Sequence, residues 1–141
     1  MRAIYMLVIM LFLHSYADYH LQGILASMKQ KGWWESQIPN LSSTRYIADY
    51  KAALIAHSFE WAFAVTLPAL YQIVNANTGL TWPDIRTGSI YICLLVAGTF
   101  LHGIVDNMKA NDHSINLISD QVFHIVQVVV TWLLWLLIVG W

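Results

Sequence analysis

In the stretch LFLHSYADYHLQ, His14, Asp18 and Gln22 follow one another at intervals of four. Four residues of α-helix turn about 40° past a full circle, so an imidazole, a carboxylate and an amide form one polar stripe. Similar pairings recur. His57 and Glu60 are three apart, His102, Asp106 and Lys109 share a face by the same rule, and so do Asp120, His124 and Gln127. Helical bundles build metal sites from inward imidazoles and carboxylates at these spacings. With no thiolate in the set, the donors suit a divalent transition metal such as Zn, Mn or Fe. Two ions would occupy most of these groups, whereas one would leave carboxylates as outer partners of the histidines. The expected ligands are His14, Asp18, His102, Asp106, Asp120 and His124. His57 and Glu60 remain for general-base or further ligand duty.

The elements that must carry these stripes are membrane helices. The chain has 141 residues, 58% hydrophobic and 11% charged, against roughly 25% charged in ordinary soluble domains. Four segments, about 3–27, 50–74, 88–109 and 119–141, approach the roughly 20 apolar residues that span a bilayer core. The expectation is an all-α fold of one domain, four transmembrane helices in an up-and-down bundle around an intramembrane His/Asp cluster. Trp33, Trp34, Trp82 and Trp141 stand near segment ends, where interfacial aromatics belong. Arg2, the following AIYMLVIMLFL and Ser15-Tyr16-Ala17 also fit a secretory signal, but the polar spacing from His14 onward suits a continuing helix. Cys93 is the single cysteine and cannot form a disulfide within the chain.

Connections are marked by turn chemistry. Pro39-Asn40 signals a turn, Ser42, Ser43 or Thr44 can cap the second helix, and Ser119 the fourth. The sequon at Asn40 reads as chance. Lys29, Lys31, Arg45, Lys51 and Lys109 fall on the side of the first and third connections, Arg2 and Arg86 on the other. The positive-inside rule then places both termini away from the cytoplasm. The polar groups lie in the C-terminal halves of the first and third helices and the N-terminal halves of the second and fourth. An up-and-down bundle brings all of them to the side of the basic connections.

Each ionisable group at a helix centre costs roughly 2.5–3.5 kcal/mol on insertion scales, so four aligned stripes ask for a function. A metal centre, a proton or ion relay and interhelical polar glue are the three readings. His20 is off the first stripe, and His113 falls in a connection. Tyr5, Tyr16 and Tyr19 read as packing or interface groups. Lys29 and Lys109 either bind an anion or snorkel to the interface, and Gln22 sits nearest the entrance with them as a substrate-binding group.

The ordered set HSYADYHLQ, Lys29, His57, HGIVDNMK and DQVFH resembles domain of unknown function 3307, a family of small bacterial and phage membrane proteins. The resemblance spans nearly the whole chain. It carries the family's polar pattern onto His14, Asp18, Gln22, Lys29, His57, His102, Asp106, Lys109, Asp120, Gln121 and His124, without Glu60, and implies no assigned activity. The arrangement also looks like the membrane-bound metal-dependent hydrolases, by analogy of chemistry alone.

The function expected from these residues is a membrane metal-binding protein, a metal-dependent hydrolase acting on a lipid-linked or amphipathic substrate. The alternative is a nonenzymatic membrane protein with a structural metal or polar cluster that regulates another membrane protein. An ion or proton carrier is a third, weakened by the lipid-like stretches 3–13 and 128–139. Membrane lipid, a lipid-linked substrate and a second copy of the chain are the expected partners. With a net charge of −1 and no basic run, nucleic acid is not.

Overall fold

The computed structural model describes residues 2–37, 48–76 and 85–139. The Pro39-Asn40 turn, the caps at Ser42, Ser43 and Thr44, and the last residues of the fourth segment lie outside them. Six α-helices and one π-helical turn make up the described chain: α1 (Arg2–Tyr16), a π-turn (Ala17–Leu21), α2 (Leu25–Met28), α3 (Lys31–Gln37), α4 (Asp49–Ala76), α5 (Ile85–Ala110) and α6 (Leu117–Val139). No strand occurs among the described residues. Four spans, Ala3–Leu21, Asp49–Asn75, Ile85–Ala110 and Leu117–Val139, are long and apolar enough to cross a membrane.

These four spans close a ring in which α1 packs on α4 and α6, and α5 on α4 and α6. Buried positions recur mostly every four residues: Met6, Met10, His14 and Asp18 on the first span; Ala53, His57, Trp61, Val65, Ala69 and Ile73 on α4; and Asp120, His124 and Val128 on α6. The outside is apolar, with Ile4, Phe12, Phe100 and Leu137 all exposed. A water-soluble domain would place its charged side chains there, whereas this one buries Asp18, Lys29, Asp106 and Asp120. That inversion is what a helix bundle in lipid requires.

Two boundaries differ from the sequence reading for identifiable reasons. The first span stops at Leu21 rather than running on to 27, because Gly23 takes φ +48°, a left-handed cap that only glycine adopts cheaply. The π-turn just before it shifts the angular phase of everything that follows. At the start of α6 the cap is Asn116, whose Oδ1 accepts the Ser119 backbone N–H at 2.9 Å, so Ser119 is already inside the helix.

Small residues set the closest helix contact. A Cβ on Gly103 would stand 3.0 Å from Ser58 Oγ, and one on Gly98 3.4 Å from Ala62 Cβ. This seam between α4 and α5 draws the neighbours of Ser58 and Gly103, His57 and His102, to 3.3 Å. Gly103→Val should therefore cost about 1–3 kcal/mol by overpacking. Gly88→Val, at a position with no neighbour within 4 Å, should be close to neutral. Thermal unfolding of both variants in detergent checks this; equal melting temperatures would contradict the seam.

Candidate metal centre

The polar stripes of all four spans meet in one buried cluster. His14, Asp18, His57, His102, Asp106, Asp120 and His124 are each no more than 6% exposed. Helices α1 and α5 supply them from their C-terminal halves, α4 and α6 from their N-terminal halves, as antiparallel neighbours must if the groups are to sit at one depth.

Two ligand groups lie close enough to hold an ion: Asp18, His57 and His102, and His102, Asp106 and His124. In the first, His57 Nε2 and His102 Nε2 are 3.3 Å apart, and Asp18 Oδ1 is 3.8 Å from each. A tetrahedral shell with bonds of about 2.0–2.2 Å has donor–donor edges of about 3.3–3.6 Å, so these atoms need shift only by tenths of an ångström. Asp106 Oδ2 stands 3.3 Å from His57 Nε2 and 3.7 Å from His102 Nε2. Its other oxygen lies 3.4 Å from His124 Nε2. His124 Nε2 is also 3.3 Å from Asp120 Oδ1, and the two histidines on α5 and α6 face each other Nδ1 to Nδ1 at 3.1 Å.

Among the described residues three buried polar atoms have no hydrogen-bond partner: Asp18 Oδ1, Asp120 Oδ1 and His124 Nε2. Leaving a buried charged oxygen unsatisfied costs more than the roughly 1–3 kcal/mol of an ordinary polar group. Asp18 Oδ1, at the edge of the first group, is the atom a cation there would satisfy. The donor set fits a divalent transition metal, with imidazole and carboxylate and no sulfur.

Two lysines complete the electrostatics. Lys29 Nζ lies 2.5 Å from Asp106 Oδ2 and Lys109 Nζ 2.7 Å from Asp120 Oδ2. Lys29 is buried, so it does not snorkel, whereas the side chain of Lys109 is about a third exposed. Asn111 holds Lys29 in place, its Nδ2 donating to the Lys29 carbonyl at 3.1 Å and its Oδ1 accepting the Lys31 N–H at 2.7 Å.

Several sequence expectations need correction. Glu60 is exposed on α4 and not part of the cluster. Three residues turn a helix 60° short of a full circle, and that carries Glu60 off the face where His57 and Trp61 point inward. Gln22 lies beyond the π-turn, half-buried, and makes no side-chain hydrogen bond to the cluster among the described residues. The glutamine that does is Gln121, whose Nε2 donates to Asp18 Oδ2 at 3.3 Å and Asp120 Oδ2 at 3.1 Å. Gln127 is structural, donating to the Gly98 carbonyl at 2.8 Å. His14 and Asp120 are in the cluster but in neither ligand group, while His57, expected as a base, is in one.

His14 Nδ1 instead accepts the Trp61 indole N–H at 2.9 Å. Trp61 also stacks on His102 with ring centroids 4.2 Å apart and planes at 16°. It is the floor of the cluster; sequence reasoning missed it, and its place four residues after His57 is the signal that could have found it. His20 is exposed and stacks on Tyr16, and His113 is exposed at φ +52° in the connection before α6.

Removing one partner of a buried ion pair costs about 3–5 kcal/mol. Lys29→Met should therefore destabilise the metal-free protein by about that amount and leave Asp106 without its ammonium partner, beside three imidazoles. Added Zn should then raise the melting temperature of the variant more than that of the parent. A variant as stable as the parent without metal would show that the Lys29–Asp106 pair contributes nothing.

Compared with family models, curated proteins and solved structures, the chain matches none.

Proposed function

We propose that this chain is an integral membrane metal-binding protein whose centre acts as a metal-dependent hydrolase on a lipid-linked or amphipathic substrate. The observation that carries the metal is the unpartnered Asp18 Oδ1 at coordination spacing from His57 and His102. A bound divalent ion supplies a water of lowered pKa and polarises a phosphoryl or acyl oxygen. The chain's own residues do the rest. Gln121 fixes the carboxylate of Asp18, and Trp61 holds the planes of His14 and His102. Lys109, at the open edge, and Lys29 behind it offer two ammonium groups to an anionic head group.

A cluster within a membrane span and open toward its basic edge favours a substrate with a polar head and an apolar tail. An apolar groove of about 900 Å³ between α4 and α5 runs from Leu95 to Tyr50 and Lys51, but no cluster side chain lines it. Entry is therefore assigned to the Lys109 edge and not to this groove. The membrane is taken to be a bacterial inner membrane, and the likeness to domain of unknown function 3307 belongs with this reading as a proposal.

A second reading is favoured by one observation: every carboxylate and imidazole of the cluster is buried, as in a closed structural site. Elemental analysis followed by turnover separates the two. Purified protein in nanodiscs, loaded with Zn, Mn or Fe, is expected to hydrolyse a lipid phosphoester or ester, and to lose both ion and turnover in His57→Ala. An ion that is retained with no turnover on any such lipid assigns the cluster to structure.

Orientation follows from the Lys and Arg imbalance. In a Cys93→Ser background, a cysteine at Ser36 is expected to be labelled only from the cytoplasmic side and one at Thr87 only from the other. The reverse pattern inverts the topology.

A further inference from the structure

His102 is common to both ligand groups, and this shared residue limits what the centre can hold. A neutral imidazole has one N–H and one lone pair. His102 faces His57 and Asp18 with Nε2 and His124 with Nδ1. If both groups were filled by ions using opposite nitrogens, His102 would have to lose its last proton. If both used Nε2, they would be one site. Building on the metal reading above, we propose that the centre takes a single divalent ion on Asp18, His57 and His102, and that His124 is a proton-bearing positioning residue linking His102 to Asp106 and Asp120.

The assignment follows by placing protons one at a time. An ion on His102 Nε2 leaves the proton on Nδ1. The Nδ1–Nδ1 contact of 3.1 Å has room for one proton only, so His124 must accept there. Its own proton is then on Nε2, 3.4 Å from Asp106 Oδ1 and 3.3 Å from Asp120 Oδ1. A small turn of the ring toward Asp120 Oδ1 completes that bond and satisfies two of the three unpartnered atoms. The third, Asp18 Oδ1, meets the ion. Every buried polar atom of the three thus gains a partner from one ion and one tautomer chain.

Charge points the same way. Three carboxylates, Asp18, Asp106 and Asp120, face two ammonium groups, so with neutral imidazoles the cluster carries one net negative charge. One divalent ion turns this into a single positive charge, which one anionic substrate group balances. Two ions would leave three positive charges in a buried site. Metal-ligating histidines are commonly held by a hydrogen bond from the other ring nitrogen, and loss of such partners lowers metal affinity 10–100-fold. The chain from His102 through His124 to Asp120 and Lys109 is of this kind, with a second imidazole inserted.

The test is ¹⁵N NMR of histidine-labelled protein in detergent, with and without Zn, alongside metal stoichiometry. Expected are one Zn per chain, metal-shifted Nε2 resonances on His57 and His102, and a His124 that stays uncoordinated with its proton on Nε2. Asp120→Asn is expected to keep one Zn per chain at 10–100-fold weaker affinity, and to move the His124 resonances. Should that variant fail to fold, the spectrum of the parent protein still decides. Two Zn per chain, or a metal-shifted nitrogen on His124, would overturn the assignment while leaving metal binding intact. No bound Zn at all would remove the metal reading and this one with it.

Discussion

Burying three carboxylates among four helices is the constraint from which the rest of this molecule follows. An isolated carboxylate in an apolar interior neutralises rather than stay charged, so each one needs a donor or cation held at hydrogen-bond distance. Asp106 has Lys29 and Asp120 has Lys109. Among the described residues Asp18 has no ammonium partner: Gln121 donates to its Oδ2, and His14 Nδ1 stands 3.5 Å from the same oxygen. In the proposed metal reading, Asp18 is the position where a cation, and not a side chain, completes the charge. Imidazole suits this place, since one ring nitrogen can donate to a carboxylate while the other presents a lone pair to an ion.

Meeting that constraint shapes the chain outside the spans as well. Lys29 cannot reach Asp106 from a helix that runs straight on toward the interface. The π-turn at Ala17–Leu21 and the left-handed Gly23 end the first span, and the single turn of α2 folds back so that Lys29 is buried. Asn111, just past the end of α5, grips the backbone on both sides of Gln30. One asparagine thus ties the first connection to the third, and the ion pair of Lys29 with Asp106 bridges the same two parts of the chain. Backbone strain and polar turn residues, usually features of surface loops, are used here to deliver a charge inward.

Much of this was legible in the residues and some of it could not be. The four spans and the convergence of His14, Asp18, His57, His102, Asp106, Asp120 and His124 follow from helical periodicity, because i and i+4 share a face whatever the tertiary context. Glu60 shows the limit of that rule. A three-residue spacing is compatible with one face or with neighbouring ones, and the direction of the core on α4 decides which. Gln22 fails for another reason: a π-turn leaves no mark in composition, so the phase after Asp18 could not be counted. Gln121 lies one residue from Asp120, at a spacing that on a lone helix points well away. It reaches Asp18 only because α1 packs beside α6. Trp61 was on the right stripe but reads as ordinary core until its indole is seen on His14.

The half of the bundle away from the cluster bears on what kind of protein this is. Below Trp61 the interior is filled by Met10, Val65 and Val128, each at most 1% exposed, and then by Met6, Ala69 and Ile73. Polar links there include Thr66 with the Ala62 carbonyl and Tyr91, Trp135 with Gln72, and Trp132 with the Ala3 carbonyl, each a local contact between neighbouring side chains or backbone. Polar pairs of that kind stabilise helix contacts in lipid and do not form a chain of exchangeable groups. A carrier has to pass its ion or proton across the full bilayer, and each step needs a partner within hydrogen-bond reach. Packed methionine and valine offer none. The indole of Trp61, stacked on His102, caps the cluster on that side. Packing of this kind suits the proposed chemistry on a bound molecule, or a fixed structural ion, better than passage of an ion through the bundle.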